Sequence, residues 1–257
     1  MLHFKWIGES NKPIVVLLHG LFGMGDNLSA LAKALMNDFY VLLLDLPNHG
    51  ASFHQANSTY PAMAGAVLEV IEQLHIEQYH LFGHSMGGKV AMQLTQHHAN
   101  KIKSLVIADI APVDYVPLHQ AIIDQMLKVD QAGFKTRKEV DNLLAESIEA
   151  PFLRQFLMKN MQRSEAGFFR WQLGIDNIAS SYINLCLAPE LKTPFTNPTL
   201  FVKGENSDYI VDQYKKDVVT FFPNLSLKVI QGAGHWLHFD KPVIFNRLVL
   251  QFFLKQA

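Results

Sequence analysis

The most constraining stretch of this chain is Tyr79–Gly88, where Tyr79-His80-Leu81-Phe82 runs into Gly83-His84-Ser85-Met86-Gly87-Gly88 and then into a helix-forming run. A serine with glycines two positions away on each side is a weak signal alone. Its setting is the stronger one, because a strand that reverses directly into a helix holds the intervening serine in a strained turn. Side chains at 83 and 87 would collide with the adjoining strand and helix, so glycine is needed at both. Gly88 lets the helix approach the sheet more closely still. Ser85 then projects at a helix N-terminus, where free N–H groups and the helix dipole favour developing negative charge. The competing reading is a glycine turn of a nucleotide-binding fold. Neither Gly-x-Gly-x-x-Gly nor Gly-x-x-x-x-Gly-Lys-Ser/Thr occurs here.

The surrounding pattern is that of an α/β fold with a mostly parallel, doubly wound sheet. Ile14–Leu18, Tyr40–Asp45, Tyr79–Gly83 and Ser104–Asp109 are short apolar runs separated by helical stretches, long enough for buried strands and far too short to span a bilayer. From about Val116 to Pro194 the periodicity is helical, with no convincing strand. Strands return at Thr199–Lys203 and Ser226–Ile230, and an amphipathic helix starts near Pro242. The expected organisation is a core domain of residues 1–115 and 195–257 with a helical cap, 116–194, inserted after the strand that ends at Asp109.

Composition narrows the function classes. Twenty-two basic against 23 acidic residues give a formal net charge of -1, so no global attraction to nucleic acid or anionic membrane is expected. The single cysteine, Cys186, excludes an intramolecular disulfide and suits a reducing compartment. Met1-Leu2-His3-Phe4-Lys5-Trp6 lacks the basic start and apolar run of a signal peptide, and the expected location is cytoplasmic.

Serine is a poor nucleophile without a base. Among 12 histidines, His235 stands out in Gly232-Ala233-Gly234-His235-Trp236, just after the strand Ser226–Ile230. That position is the carboxyl end of the last strand, the edge where open α/β sheets bind ligands. His235 and His238 look like half of a metal site, but no second pair of ligands follows at suitable spacing. After the first apolar strand, His19-Gly20-Leu21-Phe22-Gly23 reads as an oxyanion loop. The N–H of Leu21 (or, alternatively, Phe22) would act with that of Met86 on a tetrahedral oxyanion. The His19 side chain is expected to hold the loop.

Together, His19-Gly20, Asp45-x-x-x-His49-Gly50-x-Ser52, Gly83–Gly88 and Gly234-His235-Trp236 resemble the α/β-hydrolase family, esterase branch. His19–Gly23, Asp109-Ile110-Ala111-Pro112 with Asp114-Tyr115, and the Asn206-Ser207 loop narrow the resemblance to a group of bacterial esterases. It covers almost the whole chain and is weakest in the cap. It implies hydrolysis of small-molecule esters, thioesters such as acyl-CoA included, with no cofactor and no metal. Many such hydrolases carry the triad acid three residues after a glycine ending the penultimate strand. Here Lys203-Gly204-Glu205-Asn206-Ser207-Asp208 puts Ser207 in that slot and the aspartate one residue late. A one-residue shift at a strand end redirects a side chain. Asp109, on the same sheet edge, is the favoured acid, with Asp208 the alternative and Ser207 assisting the network.

Substrate is less constrained. Phe134, Phe152, Phe156, Met158, Phe168, Phe169 and Trp171 in the inserted segment either line an acyl pocket or, the favoured reading, form the cap's own core. Short- to medium-chain esters are the expectation. Rivals are a thioesterase, a carbon–carbon bond hydrolase or lyase, and a ligand-binding homologue without turnover. Ser85 argues against epoxide hydrolase or dehalogenase chemistry, which needs a nucleophilic carboxylate.

Overall fold

The computed structural model describes residues 1–257. Chain order begins β1 (Phe4–Ile7), β2 (Ile14–Leu18), α1 (Ser29–Leu35), β3 (Tyr40–Leu44), α2 (Tyr60–Gln73), β4 (Tyr79–His84), α3 (Met86–His98) and β5 (Ile102–Ala108). Next come α4 (Gln120–Ala132), α5 (Arg137–Ala145), α6 (Pro151–Met158), β6 (Met161–Arg163), β7 (Phe169–Trp171) and α7 (Ile175–Cys186). The chain closes with β8 (Thr199–Gly204), α8 (Lys215–Phe221), β9 (Leu225–Ile230), α9 (Leu237–Asp240) and α10 (Pro242–Leu254).

Seven strands form one sheet in the order β1-β3-β2-β4-β5-β8-β9, parallel except for β1 on β3. Strands that look continuously apolar in sequence still alternate in space. Val16 and Leu18 face the larger core, shared with α2 and α3, whereas Val15 and Leu17 face the smaller one under α1 and α10. Burial on both faces is what β-branched and leucine-rich runs without polar alternation encode. From β2 the chain moves outward to β3, then crosses back to β4 on the other side of β2. The order therefore reverses between β2 and β4, and the loops leaving their carboxyl ends frame a crevice at this switch point.

Three features depart from the sequence-based expectation. Residues 116–194 are not free of strands: β6 and β7 pair as an antiparallel hairpin, Met161 opposite Trp171. Three-residue strands leave no period to detect, and the turn depends on Gly167 at φ 82°, a conformation glycine adopts at little cost. Strand β1 likewise has no signal in the sequence, because this four-residue edge strand is only partly buried and carries no long apolar run. In the inserted segment, Trp171 is buried with its Nε1–H donating to the Met126 carbonyl at 2.7 Å, and Met158 is also buried. Both belong to the larger core, continuous with Val16 and Leu18 of the sheet, so they do not form a separate core within the segment. No helix is long and apolar enough to cross a membrane.

Candidate active site

The backbone at Ser85 has φ 52° and ψ -120°, a conformation that a serine holds only when its surroundings over-determine it. They do so here at close range. A Cβ at Gly83 would lie 2.3 Å from the Gly87 carbonyl oxygen, and one at Gly87 would lie 2.4 Å from the His19 carbonyl oxygen. At Gly88 it would meet Ile110 Cγ2 at 2.5 Å, so this glycine sets the approach of α3 to the residues following β5. The Ser85 N–H donates to the Ala108 carbonyl at 3.0 Å, tying the turn to the neighbouring strand.

Three side chains converge on this turn from three strand ends. Ser85 Oγ lies 2.9 Å from His235 Nε2, and His235 Nδ1 lies 2.8 Å from Asp109 Oδ2. Asp109 is fully buried and, at φ 54°, also left-handed. Its Oδ1 accepts the Gly204 N–H at 3.0 Å, while Oδ2 also accepts a hydrogen bond from Ser207 Oγ. With donors on both oxygens, the carboxylate is satisfied without leaving the sheet edge. Asp208 is exposed and makes no hydrogen bond to His235; the backbone directs it outward, one residue past the buried Ser207.

The loop bearing His235 is gripped from below. Asn206 N–H donates to the Ala233 carbonyl at 2.9 Å, and a Cβ at Gly204 would come within 2.2 Å of the Gly234 carbonyl oxygen. His84, next to the nucleophile candidate, donates Nε2–H to the His235 carbonyl at 2.9 Å. Burial, reinforced by the nearby His238 and His235, holds the His84 pKa well below the ordinary histidine value. His84 is therefore a neutral donor whose tautomer is set by that bond. The Tyr209 ring stacks on His235, with centroids 4.0 Å apart. Neither His84 nor Tyr209 was singled out for the site by sequence. The hint for His84 was its place in the motif, beside Ser85 at the end of a buried strand.

On the opposite side runs the loop after β2. His19 donates Nδ1–H to the Gly20 carbonyl at 2.8 Å and accepts the Leu46 N–H on Nε2 at 3.0 Å, so it holds the loop as expected. Phe22 N–H is engaged by His49 Nε2 at 3.2 Å, which removes it as a free donor. The N–H groups of Leu21 and Met86 have no intramolecular acceptor. Both border the space in front of Ser85. Two clefts meet at that serine. The first, about 580 Å³, is bordered by Ile122, Leu153, Phe156, Trp236 and His235. The second, about 430 Å³, runs past Met86 toward Lys89, Tyr60, Tyr115 and Tyr182. Of the seven apolar residues considered for an acyl pocket, only Phe156 borders a cleft at Ser85. No group of three or more histidine, cysteine, aspartate or glutamate side chains is arranged to hold a metal ion.

Comparison with known proteins agrees with this architecture. The chain is 35% identical over 245 residues to esterase YbfF of Escherichia coli K12, spanning 95% of this chain and 94% of that one. It is 36% identical over 253 residues to the sn-1-specific diacylglycerol lipase ABHD11 of Xenopus laevis, spanning 95% and 81% respectively. A solved marine microorganism esterase superposes with a TM-score of 0.94 at 41% identity, covering 98% of both chains. Residues 13–242 match the family model described as the alpha/beta hydrolase fold, and the chain belongs to that family.

Proposed function

We propose that this chain is a serine esterase that hydrolyses short- to medium-chain carboxylic esters, acyl-CoA thioesters among them, through an acyl-enzyme on Ser85. One observation carries the proposal: the unbroken relay from Ser85 Oγ through His235 to the buried Asp109, facing two unused N–H groups. The esterase and lipase activities named for the relatives support the same reaction class.

In the proposed cycle, His235 Nε2 accepts the Ser85 proton as Oγ attacks the substrate carbonyl. Negative charge develops on the carbonyl oxygen between the Leu21 and Met86 N–H groups, which need no reorientation to receive it. Asp109 stabilises the imidazolium and fixes its tautomer without accepting the proton. Ser207 orients that carboxylate from its second donor position. The leaving group departs with the proton held by His235; water, deprotonated by the same imidazole, then releases the acid and restores Ser85. The cycle uses only these groups and water.

Residues 116–194 act in this reading as a cap over a core of 1–115 and 195–257. Support comes from Ile122, Leu153 and Phe156, which border the first cleft, and from Asn160 Nδ2–H, which donates to the Phe22 carbonyl at 2.7 Å. The two modest clefts support short and medium acyl chains. The proposal includes a cytoplasmic location, supported by the lone cysteine. The test is turnover of p-nitrophenyl esters from acetate to palmitate, alongside CoA thioesters. Ser85→Ala is expected to abolish activity with an unchanged circular-dichroism spectrum. Retained turnover would refute the nucleophile, and a fastest rate on the longest chain would refute the substrate class.

A further inference from the structure

Lys89 lies one helical turn beyond Ser85 on α3 and is almost fully buried, at 1% exposure. Its Nζ donates to the carbonyls of Cys186 and Leu187, at 3.1 and 2.5 Å, and sits 4.7 Å from the Tyr115 ring centroid. No carboxylate stands within ion-pairing distance, since the salt bridges of the protein lie elsewhere and Asp114 instead accepts the Ala188 N–H at 2.6 Å. The third ammonium hydrogen has no oxygen acceptor in the protein; beyond the Tyr115 ring the charge meets only the Tyr60 ring, at 5.4 Å. A buried cation without an anion is costly, and this one borders the second cleft that opens at Ser85. Burial lowers its pKa to about 7 despite the opposing pull of the Cys186 thiol and the Asp114 carboxylate, neither of which pairs with it directly.

The two clefts are not equivalent chemically. His235 borders the first and not the second, whereas Met86, one of the two unused N–H donors, borders the second and not the first. Protonation of a leaving oxygen requires that oxygen within hydrogen-bond reach of His235 Nε2, so the alcohol portion of an ester occupies the first cleft. The acyl chain is then directed past Met86 into the second, toward Lys89. We propose that the second cleft is the acyl subsite and that Lys89 makes it selective for straight acyl groups ending in a carboxylate, the half-esters of short dicarboxylic acids. The inference rests on the esterase reading above. The charge supplied by such a substrate is the one the buried ammonium lacks, and the tyrosine and aliphatic walls accommodate the methylenes between the two ends.

The test compares kcat/KM for monoethyl glutarate and monoethyl adipate with their uncharged isosteres, ethyl 5-methylhexanoate and ethyl 6-methylheptanoate, by ethanol release at pH 6.5. In the unaltered protein the half-ester is expected to be favoured by about tenfold or more, the scale of a charge-assisted hydrogen bond. In Lys89→Met the preference should reverse toward the neutral ester. Because the ratio is taken within one protein, a general loss of folded enzyme cancels. A lysine that only caps α7 would shift both esters equally, and that outcome overturns the proposal. So does a preference of the unaltered protein for the uncharged isostere, which settles the matter even if Lys89→Met does not fold. In both cases ester hydrolysis itself persists, and the esterase reading survives. Absence of turnover on any ester would instead remove the esterase reading and this inference with it.

Discussion

Asparagine at position 109 is the sharpest perturbation of the relay, because it keeps the shape of the side chain and changes only charge and hydrogen-bond direction. Asp109 Oδ2 accepts from His235 Nδ1 at 2.8 Å and from Ser207 Oγ, while Oδ1 accepts from Gly204 N–H at 3.0 Å. An amide cannot satisfy this set. With its oxygen toward Gly204, its NH₂ meets His235 and forces Nδ1 to be unprotonated, so Nε2 carries the proton and cannot take another from Ser85. With the amide reversed, NH₂ opposes the Gly204 N–H, and the charge that stabilises the imidazolium is still gone. A wrong tautomer in a triad of this kind lowers kcat by roughly 10⁴. The expected loss in Asp109→Asn is therefore about 10³–10⁴, or about 4–5.5 kcal/mol of transition-state stabilisation. Steady-state kinetics on p-nitrophenyl butyrate would measure it, with Asp208→Asn as the companion. Asp208 is exposed and away from the relay, so its variant is expected to stay within about twofold of the unaltered protein. A loss below tenfold in Asp109→Asn, or a larger loss in Asp208→Asn, would refute the assignment of the acid.

Other consequences are as direct. Ser207→Ala removes one of the two donors on Asp109 Oδ2 and should lower kcat by about 10- to 100-fold with KM nearly constant, the scale of one hydrogen bond to a charged group; an unchanged kcat would exclude an orienting role. Gly87→Ala drives a methyl group to 2.4 Å from the His19 carbonyl oxygen, and urea denaturation should show a loss of about 2 kcal/mol or more, whereas unchanged stability would contradict this packing. Burial holds His49 and His238 at about 3, and His80 and His119 at about 4, all below the unfolded-state value. Above about pH 6.5 neither state binds these protons; below it only the unfolded chain does, so stability must fall with pH down to the folded-state values. At pH 5 each such histidine contributes a loss on the order of 2 kcal/mol, and a urea midpoint that stays level from pH 7 to pH 5 would show that they are not held neutral.

The parts of this molecule that could be read from its sequence are those where chemistry restricts residue choice locally. The turn at Ser85 needs glycine at 83 and 87 because backbone oxygens occupy the space a Cβ would take, and those two letters are visible without any structure. His235 was recognisable by its place after the last strand. The preference for Asp109 over Asp208 rested on a one-residue offset, and the observed geometry puts Asp109 beneath His235 and Asp208 outside. What escaped was set by distant packing. The β6–β7 hairpin is too short to have a period, and β1 is held by pairing with β3 rather than by its own apolarity. Nothing next to Lys89 in the sequence marks it for burial, because the Cys186 and Leu187 carbonyls that hold it come from the end of α7 and the chain after it, about a hundred residues away. His84 looks like one variable letter of a motif; its hold on the His235 carbonyl joins residues 151 positions apart.

In the proposed cycle Ser85, activated by His235, forms the covalent intermediate. Peptide mass mapping after brief exposure to a fluorophosphonate probe reads this step out, because the adduct reports a reactive serine independently of substrate choice. One adduct is expected, on the peptide containing Ser85, lost in Ser85→Ala and slowed by at least about 10³-fold in His235→Ala. Labelling of another residue, or undiminished labelling without His235, would contradict it.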